Sequence, residues 1–242
     1  MITKAGSLVV TLVIAIPASL SAQFPSDVMS YKPMISTPIA GLSPVATSTI
    51  LGLPAEGAAF AVRYGRVPSN NFTGDINNVA ATASLSAGNV STISLTAGML
   101  SPAALPRTFM ASVGADTRLF DFDAGDSQSA RLVRIAASGE VGLGTPTGAK
   151  LVAASVGLPV SLIARERQGD DLLVVPFLTP GFGFGATYPT SGSSGSGAHF
   201  MLGGGVAISN HGGNVGLNVG FQHVAIDGGS TQFGAGVIVG VR

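Results

Sequence analysis

The sequence predicts an all-β fold: an antiparallel, up-and-down transmembrane β-barrel of about ten strands, within a range of roughly eight to twelve. Three observations predict it. The chain is hydrophobic, with a mean hydropathy of +0.50, yet it carries only 12 basic and 12 acidic residues among 242. Beyond a short N-terminal stretch it contains no apolar run of about 18 residues or more, so the hydrophobicity is not packaged as membrane helices. From about residue 57 onward the apolar residues instead recur at every second position, the period of a strand with one greasy face.

Composition narrows the function classes. A high apolar content without charge blocks excludes a disordered chain. Balanced charge leaves no basic patch, so nucleic acid is not an expected partner. The absence of Cys excludes a disulfide framework, thiolate metal sites and a Cys nucleophile.

The N-terminus reads as an export signal. Lys4 precedes the apolar stretch Leu8–Ile16, Pro17 breaks it, and the small residues Ala18-Ser-Leu-Ser-Ala22 follow. Residues 1–22 are therefore expected to be a cleaved signal peptide. Residues 23–56 carry Pro25, Pro33, Pro38, Pro44 and Pro54 without a sustained period, and form an irregular segment expected to enter the barrel lumen as a plug. The barrel is expected over residues 57–242.

The expected strands are 58–67, 76–87, 90–100, 107–121, 130–144, 149–165, 171–188, 197–210, 213–226 and 231–242. In the fourth, Phe109, Ala111, Val113, Ala115, Thr117 and Leu119 alternate with Met110, Ser112, Gly114, Asp116, Arg118 and Phe120. Turn residues separate the runs, as in Thr145-Pro-Thr-Gly148, Asn210-His-Gly-Gly213 and Asp227-Gly-Gly-Ser230. Short connections imply antiparallel neighbours, because parallel pairs need long crossovers.

The face opposite the greasy one decides what the sheet meets. A soluble sandwich would turn Lys, Glu and Thr to water there. Here that face is mainly Gly, Ser, Ala, Thr and Asn, and only Lys32 and Lys150 follow the signal segment. Arg63, Asp116, Arg118, Arg134 and Glu140 all fall on this small, polar face, and are the candidate lumen-lining charges. They have two readings: a paired network filling a closed barrel, or the lining of a narrow pore. Charges on the greasy register (Arg66, Arg107, Arg131, Lys150, Glu166) are expected at strand ends. The cost of about 2–4 kcal/mol for Arg or Lys at a bilayer midplane accounts for this sorting.

On these features, over about residues 57–242, the chain resembles the bacterial outer-membrane β-barrel proteins, the small porin-like superfamily of Gram-negative cells. The match is one of pattern. It implies residence in the cell outer membrane, with outer-membrane lipid and the barrel assembly machinery as partners. It also implies a structural, binding or narrow-pore role. Members commonly end in Phe or Trp, whereas this chain ends Val241-Arg242. With no Trp and three Tyr, an aromatic belt must rest mostly on Phe. Its candidates are Phe60, Tyr64, Phe109, Phe182, Phe184, Tyr188, Phe200, Phe221 and Phe233.

No constellation in the sequence carries catalysis. His199 takes the lumenal register, His211 a turn and His223 the lipid register, so the evenly spaced histidines do not converge, and no metal site or cofactor is expected. The runs Gly181-Phe-Gly-Phe-Gly185 and Gly203-Gly-Gly205 lack the helix and Lys of a phosphate loop. No Gly-x-Ser-x-Gly occurs. Two rivals stay open. A lipid-modifying barrel enzyme would need a Ser beside His199 at one rim. A secreted soluble β-sandwich or adhesin-like module would stay in solution without detergent.

Overall fold

A computed structural model describes residues 58–70, 74–87, 90–103, 107–123, 130–145, 148–165, 172–190, 194–210, 215–225 and 230–241. The expected signal peptide and the expected plug lie outside the described residues. Eleven strands follow in order: β1 (Ala58–Asn70), β2 (Gly74–Ala87), β3 (Ser91–Pro102), β4 (Thr108–Asp123), β5 (Ala130–Thr145), β6 (Ala149–Gly157), β7 (Val160–Arg165), β8 (Leu172–Pro189), β9 (Gly195–Asn210), β10 (Val215–Ala225) and β11 (Ser230–Val241). Neighbours pair antiparallel throughout. β1 pairs with β11 and β4 pairs with β5, which closes the sheet into a barrel. Closure gives every stave a partner on both sides, as hydrocarbon surroundings require.

β6 and β7 are two parts of one stave, the single strand expected over 149–165. Ser138 opposes Gly157 and Ile135 opposes Val160, so the register against β5 runs through the break unchanged. The interruption is chemical. The Ala136 N–H donates to the Pro159 carbonyl at 2.9 Å, but Pro159 has no N–H with which to return the bond. With β6 and β7 as one stave, the barrel has ten.

The seam between this stave and β8 is thinned by further prolines. The Pro180 carbonyl accepts from the Leu158 N–H at 2.9 Å, so residues of that parity on β8 turn their backbone groups toward β7. Pro176 and Pro180 both lie on it, and neither can donate. The β7–β8 ladder is accordingly formed at just Val160–Leu178 and Ser161–Phe177, whereas β8–β9 pairs from Leu172 through Thr187.

One expected register is overturned. The alternation of β4 does not continue past Arg118, because a bulge at Leu119 shifts the pairing with β5 between Arg118 and Phe120. Phe120 and Phe122 therefore face outward, at 58% and 51% exposure, instead of inward. Arg66 also departs from expectation. β1 runs on to Asn70, so Arg66 lies within the strand rather than at its end; it faces outward and pairs with Asp75.

Elsewhere the two faces separate as strand geometry dictates. Large apolar side chains, among them Leu85, Leu95, Phe109 and Val219, stand on the outside. The inside holds two small apolar clusters. Ile76, Ala80, Leu100, Met110, Leu151 and Ala153 gather toward the end remote from the chain termini. Ile163, Val175, Phe177 and Ala207 gather toward the end that carries them. Lumenal glycines sit beside large neighbours and make room for them: a Cβ at Gly65 would strike the Gln232 amide, at Gly98 the Met110 methyl, and at Gly236 the Asn218 carbonyl oxygen. The one positive φ among the described glycines, 78° at Gly148, serves the tight turn between β5 and β6.

Candidate functional site

The lumen and the outer band are the two surfaces on which a barrel can act. Strand alternation carries Arg63 of β1, Asp116 of β4 and Arg134 and Glu140 of β5 to the inner face, where each is less than 9% exposed. Arg118, at the bulge, keeps a side chain 35% exposed. The structure sorts the five into two groups. Arg63 and Glu140, on β1 and β5, are oppositely charged and both buried on the lumenal face. Arg118 and Arg134 converge on Asp121, their Nη1 and Nε lying 3.5 Å and 2.8 Å from its carboxylate oxygens. Asp116 lies outside both groups and is 2% exposed.

Asp121 was not among the residues the sequence singled out. Its alternation parity would turn it toward lipid, and only the bulge at Leu119 returns it to the lumenal side opposite Arg134. The adjacent apolar pair Leu119-Phe120 is the signal that could have marked the slip. The same bulge hid Phe120 and Phe122, whose rings stand 6.1 Å apart on the outer face. Lumenal amides also lie outside the candidate set. Asn78, Asn218, Gln222 and Gln232 are all buried, and three of them line a small lumenal cavity of about 10 Å³ with Arg63 and Gly65. That is room for about one water molecule.

On the outside, Phe60, Tyr64, Phe109, Phe182, Tyr188, Phe200, Phe221 and Phe233 are exposed, while Phe184 is half-buried. Phe182 and Phe200, ladder partners on β8 and β9, meet edge to face at 5.7 Å. Phe109, Phe182, Tyr188, Phe200, Phe221 and Phe233 lie in the strand halves remote from the termini. Phe60, Phe120 and Phe122 lie in the opposite halves. Between them runs a band of exposed Val, Leu and Ile far more continuous than a soluble monomer displays. No helix among the described residues is long and apolar enough to cross a membrane.

His199 Nε2 faces Gly183 and Met201 inside the lumen. His223 faces outward and shares a hydrogen bond with Thr231 Oγ1 at 2.9 Å. His211 lies outside the described residues.

A closed antiparallel barrel with a continuous apolar exterior and a small, polar interior is a barrel of the outer-membrane type. Solved structures similar to it include the N-terminal β-barrel domain of Pseudomonas aeruginosa OprF, at 11% identity and a TM-score of 0.33, covering 77% of this chain and 98% of that one. The translocator domain of the autotransporter NalP from Neisseria meningitidis is similar at 12% identity and a TM-score of 0.40, covering 91% and 99%. The β domain of the Bordetella autotransporter BrkA is similar at 12% identity and a TM-score of 0.42, covering 77% and 99%. No family model and no curated relative matches the sequence.

Proposed function

We propose that the protein resides in the outer membrane as a filled barrel, with a structural or binding role rather than that of an open channel. The observation that carries this reading is the burial of the lumenal charges: Asp116 is 2% exposed, and Arg63 and Glu140 are 7%. An aqueous pore would leave such groups hydrated, because transferring an ion out of water costs several kcal/mol unless it is compensated. Arg63 and Glu140 bring opposite charges into the same lumen, and barrels of this strand number are ordinarily filled by side chains. The exposed apolar band supports a lipid partner, and the signal peptide expected over residues 1–22 would deliver the chain across the inner membrane.

Cell fractionation and planar-bilayer recording test the reading together. The expected result is outer-membrane partition, heat-modifiable migration on gels and no sustained conductance steps. Detergent-free solubility would remove the membrane assignment. Steady ion conduction by the folded protein would replace the filled barrel with a narrow pore.

A further inference from the structure

His199 and Met201 are separated by one residue on β9, so strand geometry puts both side chains on the lumenal face. They are 6% and 1% exposed. The ladder partner of His199 on β8 is Gly183, and the absence of a side chain there opens the wall. A Cβ at Gly183 would come within 3.0 Å of both His199 Nε2 and Met201 Sδ. An imidazole nitrogen and a thioether sulfur thus converge in front of one glycine. On the next stave, Gln222 Nε2 donates to Met201 Sδ at 3.4 Å. Gln222 Oε1 is buried with no hydrogen-bond partner among the described residues, so this amide keeps an unsatisfied oxygen.

We propose that His199, Met201 and the Gln222 amide form a lumenal site for a soft monovalent cation, cuprous copper or its analogue silver(I). The chemistry selects this class. Thioether sulfur favours soft ions such as Cu(I), and imidazole is compatible with them. Among the described residues no three His, Cys, Asp or Glu side chains gather in a metal-holding group, so the carboxylate-rich sets that favour harder divalent ions are lacking. A single positive charge also costs less to bury in the lumen than two. Binding uses the neutral imidazole, whose Nε2 lone pair is donated to the ion. The interval of two along one strand is the spacing that metal ligands require.

The test is titration of the folded protein in detergent micelles with Cu(I) under anaerobic, reducing conditions, with bicinchoninate as competing chelator. Heat-modifiable migration verifies each variant's fold. Wild type is expected to retain one Cu(I) per chain. Met201→Leu, His199→Phe and Gly183→Ala are expected to lose it, the last by filling the space in front of the donors. The double variant His211→Ala/His223→Ala is expected to keep it. Silver(I) should shift the Met201 methyl resonance of labelled wild type. Failure of wild type to take Cu(I) from the chelator overturns the proposal. So does equal uptake by folded Met201→Leu, or loss of uptake in the His211/His223 variant. Met201→Leu nearly conserves volume, so it keeps the test decisive if His199→Phe or Gly183→Ala does not fold.

Discussion

Arg134 grips Asp121 with two parallel hydrogen bonds, Nε donating to Oδ1 at 2.8 Å and Nη2 to Oδ2 at 2.9 Å. The two are ladder partners on β5 and β4, and they face each other only because of the bulge one turn of the pleat away. Two-pronged pairs of this kind are stronger and more directional than single contacts. Asp121→Ala would remove the carboxylate and leave the Arg134 and Arg118 cations side by side. The expected cost is roughly 1–3 kcal/mol, less than for a fully buried pair because Asp121 is partly solvated. Reversible urea unfolding in lipid vesicles measures it, and an Asp121/Arg134 double-mutant cycle isolates the pair. A cost near zero would mean the grip is solvated away in the membrane-embedded protein.

Leu95 stands on the outer face between Ala83 and Val113 and is 61% exposed. In a bilayer, Leu95→Arg is expected to destabilise the barrel by roughly 2–4 kcal/mol. On a water-facing surface the same change would lie within about 0.5 kcal/mol of neutral. Refolding yield and unfolding midpoint in vesicles separate the two outcomes.

Two glycines predict opposite responses to one added methyl. At Gly205 a Cβ would come within 3.0 Å of the Val219 carbonyl oxygen and the Gly220 Cα, both backbone atoms that cannot swing aside. At Gly139 the nearest atom would be 3.7 Å away, an ordinary contact. Gly205→Ala is therefore expected to cost about 1–3 kcal/mol through strand displacement. Gly139→Ala should change stability by less than about 0.5 kcal/mol. Similar values for both would contradict the close approach of β9 and β10.

The thin β7–β8 ladder predicts uneven hydrogen exchange. Backbone N–H groups of β7 and β8 that face each other beyond Ser161–Phe177 should exchange faster than those in the β8–β9 ladder. Pro176→Ala supplies a donor toward Leu162 and should slow exchange there. Uniform protection around the barrel would show that the seam closes without those bonds.

Much of this architecture is written as alternation. Val133, Val141 and Leu143 against Arg134, Ala136 and Glu140 already sort two faces of β5, and the stave count follows from the turns. What alternation cannot carry is a change of phase. Leu119 inserts one residue, and every side chain after it exchanges faces, so Phe120, Phe122 and Asp121 escape a reading based on period. Groupings inside the lumen are also illegible. Arg63 and Glu140 lie on staves far apart in the chain, and nothing local to either one names the other. The convergence of His199 and Met201 depends on Gly183, a residue on another strand that matters through the side chain it lacks.

The pairing of lumenal glycines with bulky neighbours has an evolutionary consequence. Gly65 with Gln232, and Gly236 with Asn218, divide a fixed volume between adjoining strands. A substitution that enlarges one partner is tolerated only with a reduction in the other. Drift inside this barrel should therefore proceed by reciprocal exchanges between neighbouring staves, while outer positions, bounded by fluid lipid, change singly.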